Sequence, residues 1–282
     1  GLIKGDDKQK KSAAEMATEY LIESFNKVLK KANENNNKTH VNLIITAKRH
    51  KSAKEFEKNV NLAINFYGTN QIDQENKENE ENDKDQKNEK DFWELPPEVV
   101  SFDIAGIEKG NRVSKFKDQL HPLLLNNVPT TIHAGEEDGS DAIWEAIYYA
   151  HVHRIGHGLS LGQDKKLQHI VRETRINVEL CPISNYLTNN IYSIERRNYP
   201  LKEFLEERIS VSINTDNPYV SDSTLTKEFL FAAQISGGLT RWEILKIILY
   251  SFKSITIHKS LKTKLLKEIN EEIYELLLNE GE

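Results

Sequence analysis

Residues 129–158 read PTTIHAGEEDGSDAIWEAIYYAHVHRIGHG. Pro129 to Gly135 form a short apolar, β-branched run of strand type, a helical pattern follows near 141–150, and His153 to Gly158 are strand-like again. Two strands joined through a helix lie parallel, because the crossover returns the chain to the end of the sheet where it began. The same alternation runs outward in both directions. Upstream, strands are predicted at 41–47 and 99–106, with helices near 11–31, through Phe56, Val60, Ala63 and Phe66, and near 114–126. Downstream come a helix near 164–174, a strand at 176–182, a helix near 200–207, a strand at 209–216, and helices at 224–236, 240–252 and 260–279.

Repeated β-α units with short apolar strands predict an α/β chain whose parallel sheet is covered by helices. Polar residues sit at the C-terminal end of strand after strand: His50, Asp103, His133 with Glu136, His157, Asn185 and Asp216. In a doubly wound sheet such ends spread along an edge, whereas in a barrel they converge on one mouth. The reading is therefore a TIM-type (β/α)8 barrel.

The 282 residues are 38% hydrophobic, which suffices for a buried core, and one domain over 1–282 is expected. A formal net charge of -6 without a basic stripe argues against a nucleic-acid groove or an anionic membrane surface, and favours a small neutral or cationic ligand. The single cysteine, Cys181, excludes an internal disulfide, a Cys-x-x-Cys zinc site and the His/Cys/Cys class of base deaminases. It fits a reducing, cytoplasmic compartment. No apolar run approaches the roughly 18–20 residues that span a bilayer, and the N-terminus has no charged-then-apolar signal pattern. The stretch NQIDQENKENEENDKDQKNEKD, 70–91, cannot bury enough apolar surface to offset its ordering entropy, so a disordered charged insertion is expected at about 69–92.

A histidine and a carboxylate three residues apart at a strand-to-helix turn, His133 and Glu136, suit a metal ligand beside a proton shuttle. Each candidate also has a plain structural reading. Glu136 could be a carboxylate favoured by a helix N-terminus, His157 a satisfied buried histidine between Gly156 and Gly158, and Asp216 a turn former before Asn217 and Pro218. His151 and His153 share one face of a strand, but they precede its start and lie roughly 13–20 Å from the end that carries His157. They are expected at the stability end of the barrel, away from any catalytic metal.

Four segments in order, HAGE at 133, RIGHG at 154, CPISNYL at 181 and SINTDNP at 212, resemble the adenosine deaminase family of metal-dependent barrels, and SFDIAG at 101 resembles its preceding strand. The resemblance runs from about residue 41 to the end. It implies an enzyme: zinc-dependent hydrolytic deamination of adenosine, and of 2'-deoxyadenosine, to inosine and ammonia. It implies one divalent zinc held by His133 and Asp216, with Glu136 protonating purine N1 and His157 orienting or deprotonating the attacking water. Asp216 thus counts as catalytic and as a ligand. Gly106, Asp103 and Asn217 are implied at the purine, Gly106 by backbone approach and Asp103 by supporting its strand end.

The sequence departs from the family in two places. The family's first strand carries a His-x-His pair of zinc ligands, and that pair is missing here. Six strands are predicted where the barrel needs eight, and the two absent ones are the first two. Their partners are expected from an upstream segment or a complementing chain. The alternative is a catalytically inactive deaminase-like subunit that acts as a structural or binding protein. The second departure is Asn217, where many relatives carry a second Asp. An amide donates directly to purine N7, whereas a carboxylate must first be protonated. Arg196 and Arg197 are the candidates for a phosphate site that an AMP-type substrate would need.

Overall fold

The computed structural model describes residues 11–33, 39–68, 97–189 and 198–279. The charged insertion at 69–92 and Arg196 and Arg197 lie outside the described residues. The chain divides into two compact units, Gly1–Leu43 with Asn65–Val99, and Ile44–Ile64 with Val100–Glu282. In the first, helix α1 (Ala13–Asn33) buries Thr18 and Leu29 and exposes Met16, Tyr20 and Val28, and Tyr67 forms a parallel bridge with Val99.

The second unit carries the sheet apart from Leu43 and Val99, the first residues of its first two strands. Its elements run β1 (Leu43–Lys48), α2 (Ala53–Phe66), β2 (Val99–Ala105), α3 (Lys117–Leu125), β3 (Thr130–Ala134), α4 (Ser140–Ala150), β4 (Arg154–His157), α5 (Lys165–Glu173) and β5 (Asn177–Leu180). After these come α6 (Pro182–Asn189), α7 (Leu201–Glu206), β6 (Ser210–Ile213), α8 (Pro218–Ser221), α9 (Leu225–Ile235), α10 (Arg241–Ser254) and α11 (Lys259–Asn279). The six strands stand in the order β1-β2-β3-β4-β5-β6, and every pair from β2 to β6 is parallel. A doubly wound sheet reverses its strand order at a switch point. This sheet has no reversal: each strand is added on the same side of the last, as in the wall of a (β/α)8 barrel.

The period of two along each strand separates the faces. Ile132, Ile155, Val178 and Val211 are register partners in one row, all buried. The rows on either side, Thr131, Arg154, Asn177 and Ser210, and His133, Gly156, Glu179 and Ser212, point the other way and are polar. Several of them pair with one another. Arg154 Nε donates to Thr131 Oγ1 at 3.0 Å and lies 3.3 Å from Glu179, and Asn177 donates to Ser212 Oγ at 2.9 Å and accepts from Ser210 Oγ at 2.9 Å.

Turns at the two ends of the sheet differ. At the N-terminal ends, Asn127, His151, Arg175 and Arg208 adopt left-handed backbone between a helix and the next strand, with φ of 52°, 47°, 58° and 58°. Three of these turns are closed by a bond from the first strand-side N–H to a carbonyl five residues back, Val128 to Leu123, Ile176 to Val171 and Ile209 to Phe204. That is the Schellman closure of a helix C-terminus. His151 and His153 fall at this end, as expected: His151 caps α4, and the Thr130 N–H donates to His153 Nδ1 at 3.3 Å. The C-terminal ends turn instead through Gly106, Gly135, His157 with Gly158, and Asp216, all at positive φ. Among the described residues, no helix is long and apolar enough to cross a membrane.

Candidate active site

The turn after β3 is held from both sides. Gly135 has φ 73°, and a Cβ there would lie 2.7 Å from Ile143 Cδ1, so both conformation and space require glycine. Beyond it, four successive backbone N–H groups converge on the buried carboxylate of Glu108, from Gly135 at 2.5 Å, Glu136 at 3.0 Å, Glu137 at 2.9 Å and Asp138 at 3.2 Å. Successive N–H groups that close around one anion form a nest. On the strand side, the buried Arg49 guanidinium donates to the carbonyl of His133, and to that of Ile104 at 3.2 Å. An anion therefore fixes the donors of the turn and a cation fixes the acceptor just before them.

His133 and His157 stand with ring centroids 5.1 Å apart. His133 Nδ1 lies 3.0 Å from Asp103 Oδ1, and Thr46 Oγ1 donates to the other Asp103 oxygen at 3.4 Å. Asp103 thus grips the far nitrogen of His133 and directs Nε2 toward the cleft; it does not line the cleft itself. Burial pushes His133 down, but the charge and hydrogen bond of Asp103 outweigh it and raise its pKa. His157 has a strained φ of 64° and is buried. Its Nδ1 lies 2.8 Å from Asn185 Nδ2. The orientation of that amide is fixed, since Asn185 Oδ1 accepts from the Cys181 backbone N–H at 3.3 Å and from Tyr199 Oη at 2.8 Å. The Asn185 N–H therefore donates to Nδ1, and this network assigns the ring proton of neutral His157 to Nε2. That N–H faces Glu136 Oε2 at 3.4 Å. Burial and the charge of His133 hold His157 well below its usual range. Burial, with Asp216 adding to it, pushes the Glu136 carboxyl up to about 7 against the opposing charge of His133.

Asp216 follows β6 at φ 55°, and Ser184 Oγ donates to its Oδ2 at 2.6 Å. Asn217 caps α8, its side-chain oxygen accepting from the Val220 N–H at 3.2 Å, so its amide N–H groups are what it has left to offer. Gly106 packs against His50, with a would-be Cβ 2.9 Å from Nδ1. His133, His157, Glu179 and Asp216 line a cleft of about 580 Å³ whose other walls include Phe229 and Phe252. Apolar walls with a few convergent polar groups suit a planar organic ligand.

His133, with its second nitrogen on a carboxylate, has the usual setting of a metal-ligating histidine, and a metal would compete with a proton for Nε2. Asp216 offers the kind of oxygen zinc accepts. Among the described residues, however, no group of three or more His, Cys, Asp or Glu side chains is placed to hold a metal ion. The site fits two positions of a coordination shell and leaves the others to be filled from outside these residues.

The sequence pattern of the family described as Adenosine deaminase matches residues 81–272, more than half of the chain. The chain belongs to the adenosine deaminase family. It is 33% identical over 168 residues to an adenosine deaminase of Vibrio atlanticus, covering 60% of this chain and 50% of that protein. It is 35% identical over 142 residues to an aminodeoxyfutalosine deaminase of Streptomyces coelicolor, covering 50% of this chain and 36% of that protein. Among solved structures, an amidohydrolase of Burkholderia ambifaria with bound zinc superposes with a TM-score of 0.67 at 16% identity, over 84% of this chain and 58% of that one. The chain spans about half the length, or less, of these curated relatives.

Within this deaminase family member, the HAGE, RIGHG, CPISNYL and SINTDNP segments all fall at C-terminal strand ends, as their order predicts. Glu108, Arg49 and the grip of Asn185 on His157 are the parts that sequence reading does not supply. Glu108 follows SFDIAG by two residues, and its partners lie 27 to 30 positions away.

Proposed function

We propose that this chain carries the acid–base half of a zinc-dependent purine deaminase that converts adenosine and 2'-deoxyadenosine to inosine and ammonia. The observation that carries the reading is the pairing of Glu136 with His157, 3.4 Å apart, His157 lining the cleft and its imidazole proton assigned to the nitrogen that faces Glu136. Glu136, whose carboxyl burial pushes up, gives its proton to purine N1 as water oxygen bonds to C6. The resulting carboxylate accepts the proton of the added water and passes it to the exocyclic amine. The C6–N bond then breaks with its electron pair on nitrogen and ammonia leaves, the remaining hydroxyl proton returns to the Glu136 carboxylate as C6=O forms, and N1 keeps its hydrogen in inosine. His157, with its N–H on Nε2, donates to the attacking oxygen and orients it; a base is the role this tautomer does not suit. Zinc, held by His133 and Asp216 with further ligands, would lower the pKa of the attacking water.

By resemblance, Gly106 and Asn217 meet the purine, and Asp103 acts through His133 as a positioning residue. The remaining zinc ligands are proposed to come from a His-x-His strand on an upstream segment or a complementing chain, in a cytoplasmic setting that suits the free, buried Cys181. The test adds adenosine to the 282-residue chain with zinc and a polypeptide carrying the family's first two strands. Loss of the adenosine absorbance is expected, and Glu136→Ala should lower the rate by about 100-fold or more, the scale of general acid–base catalysis. The rival reading is an inactive deaminase-like subunit, and the lack of three metal-holding groups among the described residues favours it. A stable zinc-loaded complex without turnover would decide for that rival.

A further inference from the structure

At the N-terminal edge of β5 and β6, the opposite end of the sheet from the deaminase cleft, a second cleft of about 620 Å³ is lined by Arg172, Arg175, Arg208, Tyr250, Lys253 and Ser254. These residues come from three parts of the chain: the end of α5 with the turn after it, the turn after α7, and the C-terminal part of α10. Arg172 is already engaged, with Glu173 at 3.0 Å, Glu207 at 3.8 Å and His169 at 2.7 Å. Arg175, Arg208 and Lys253 are not: among the described residues no carboxylate comes within ion-pair distance of any of them. A further cation, Lys246, stands 5.6 Å above the Tyr250 ring. In a chain whose net charge is -6, these three exposed cations line one concavity and make its local potential positive.

The backbone adds to it. Arg175 and Arg208 occupy the left-handed residue of two equivalent Schellman turns, both at φ 58°, where glycine is the favoured residue. Arginine at these two positions places two guanidinium groups at the cleft.

We propose that this cleft binds a polyphosphate group of two or three phosphates, carried by free inorganic polyphosphate or by the tail of a nucleotide. Guanidinium groups bond phosphate oxygens bidentately, and Lys253 supplies a point charge beside them. A monovalent anion would leave two of the three free cations uncompensated, and one phosphate is small for the space. The site shares no residue with the deaminase cleft, and Ser210 of β6 forms part of its wall.

The test is calorimetric titration of the 282-residue chain with pyrophosphate, tripolyphosphate and ATP, repeated on Arg175→Gly/Arg208→Gly and on Lys253→Ala. Glycine suits both left-handed positions, so the double variant is expected to fold with an unchanged or raised Tm while losing affinity by at least about tenfold, given the strength of charge-assisted hydrogen bonds. Lys253→Ala should weaken binding in the same direction. ATP binding no tighter than tripolyphosphate would identify the free polyphosphate as ligand, and tighter ATP binding would identify a nucleotide with its base beside Tyr250. Absence of binding for all three ligands at millimolar concentration, or binding that the double variant leaves intact, would overturn the proposal.

Discussion

Burial pushes the Glu136 carboxyl from 4.5 to about 7, with Asp216, Glu137 and Glu108 adding to the rise and His133 opposing it. The folded, metal-free chain therefore keeps a proton between pH 4.5 and 7 that the unfolded chain has released, and its stability falls as pH rises through that window. Glu136→Gln removes the buried charge at nearly constant shape. The variant is expected to match the parent near pH 4.5 and to exceed it at pH 8 by on the order of 1–2 kcal/mol, part of the gain being offset by the lost attraction to His133. Urea unfolding at both pH values checks this, and a gap that does not widen with pH would show that Glu136 is not held up by burial. At this scale the sequence is legible where chemistry is local. His133 and Glu136 share one turn, and His157 sits between two glycines. Asn185 is visible only as one more polar residue at a strand end. That its amide sets the tautomer of His157 depends on Cys181 and Tyr199, and no spacing rule connects those residues.

Elements were legible wherever one periodicity ran long enough. All six strands and the long helices fall where the pattern places them, although strands expected at 176–182 and 209–216 shrink to Asn177–Leu180 and Ser210–Ile213. Their last predicted residues leave the ladder to form the site. The short helices α6 and α8 went unread, since a proline that opens each of them, Pro182 and Pro218, also reads as a turn residue. The turn that carries Glu136 depends on an element far from it in sequence, the loop after β2, through the four N–H bonds to Glu108. In Glu108→Gln one oxygen can still serve three of those donors, while the new NH2 group opposes the fourth. That change should destabilise the chain by about 1–3 kcal/mol, the cost of an unsatisfied buried donor, and speed amide exchange at residues 135–138 ahead of the rest of the sheet. Uniform exchange with unchanged stability would mean that the nest is not what holds the turn.

For the whole molecule, the sequential parallel sheet ends, among the described residues, at β1 and β6, and an edge strand is where a further strand would pair. The sequence conveys this much through its strand count. It does not convey the cation cluster at the opposite end, because Arg175, Arg208 and Lys253 are scattered in the chain and only the turns and α10 gather them. The six strands also set the limit on metal binding. His133 and Asp216 alone make two ligands, and catalytic zinc ordinarily has three or more from protein. The chain by itself should therefore hold zinc weakly, with affinity rising at least about 100-fold when a polypeptide bearing the His-x-His strand is added, because each further ligand is then presented within one fold. Competition against a chromophoric chelator measures both values, and His133→Ala or Asp216→Ala should abolish the increase. Should the chain alone bind one zinc as tightly as the complemented form, the missing ligands lie within residues 1–282, and the two strand edges are not the place where the site is completed.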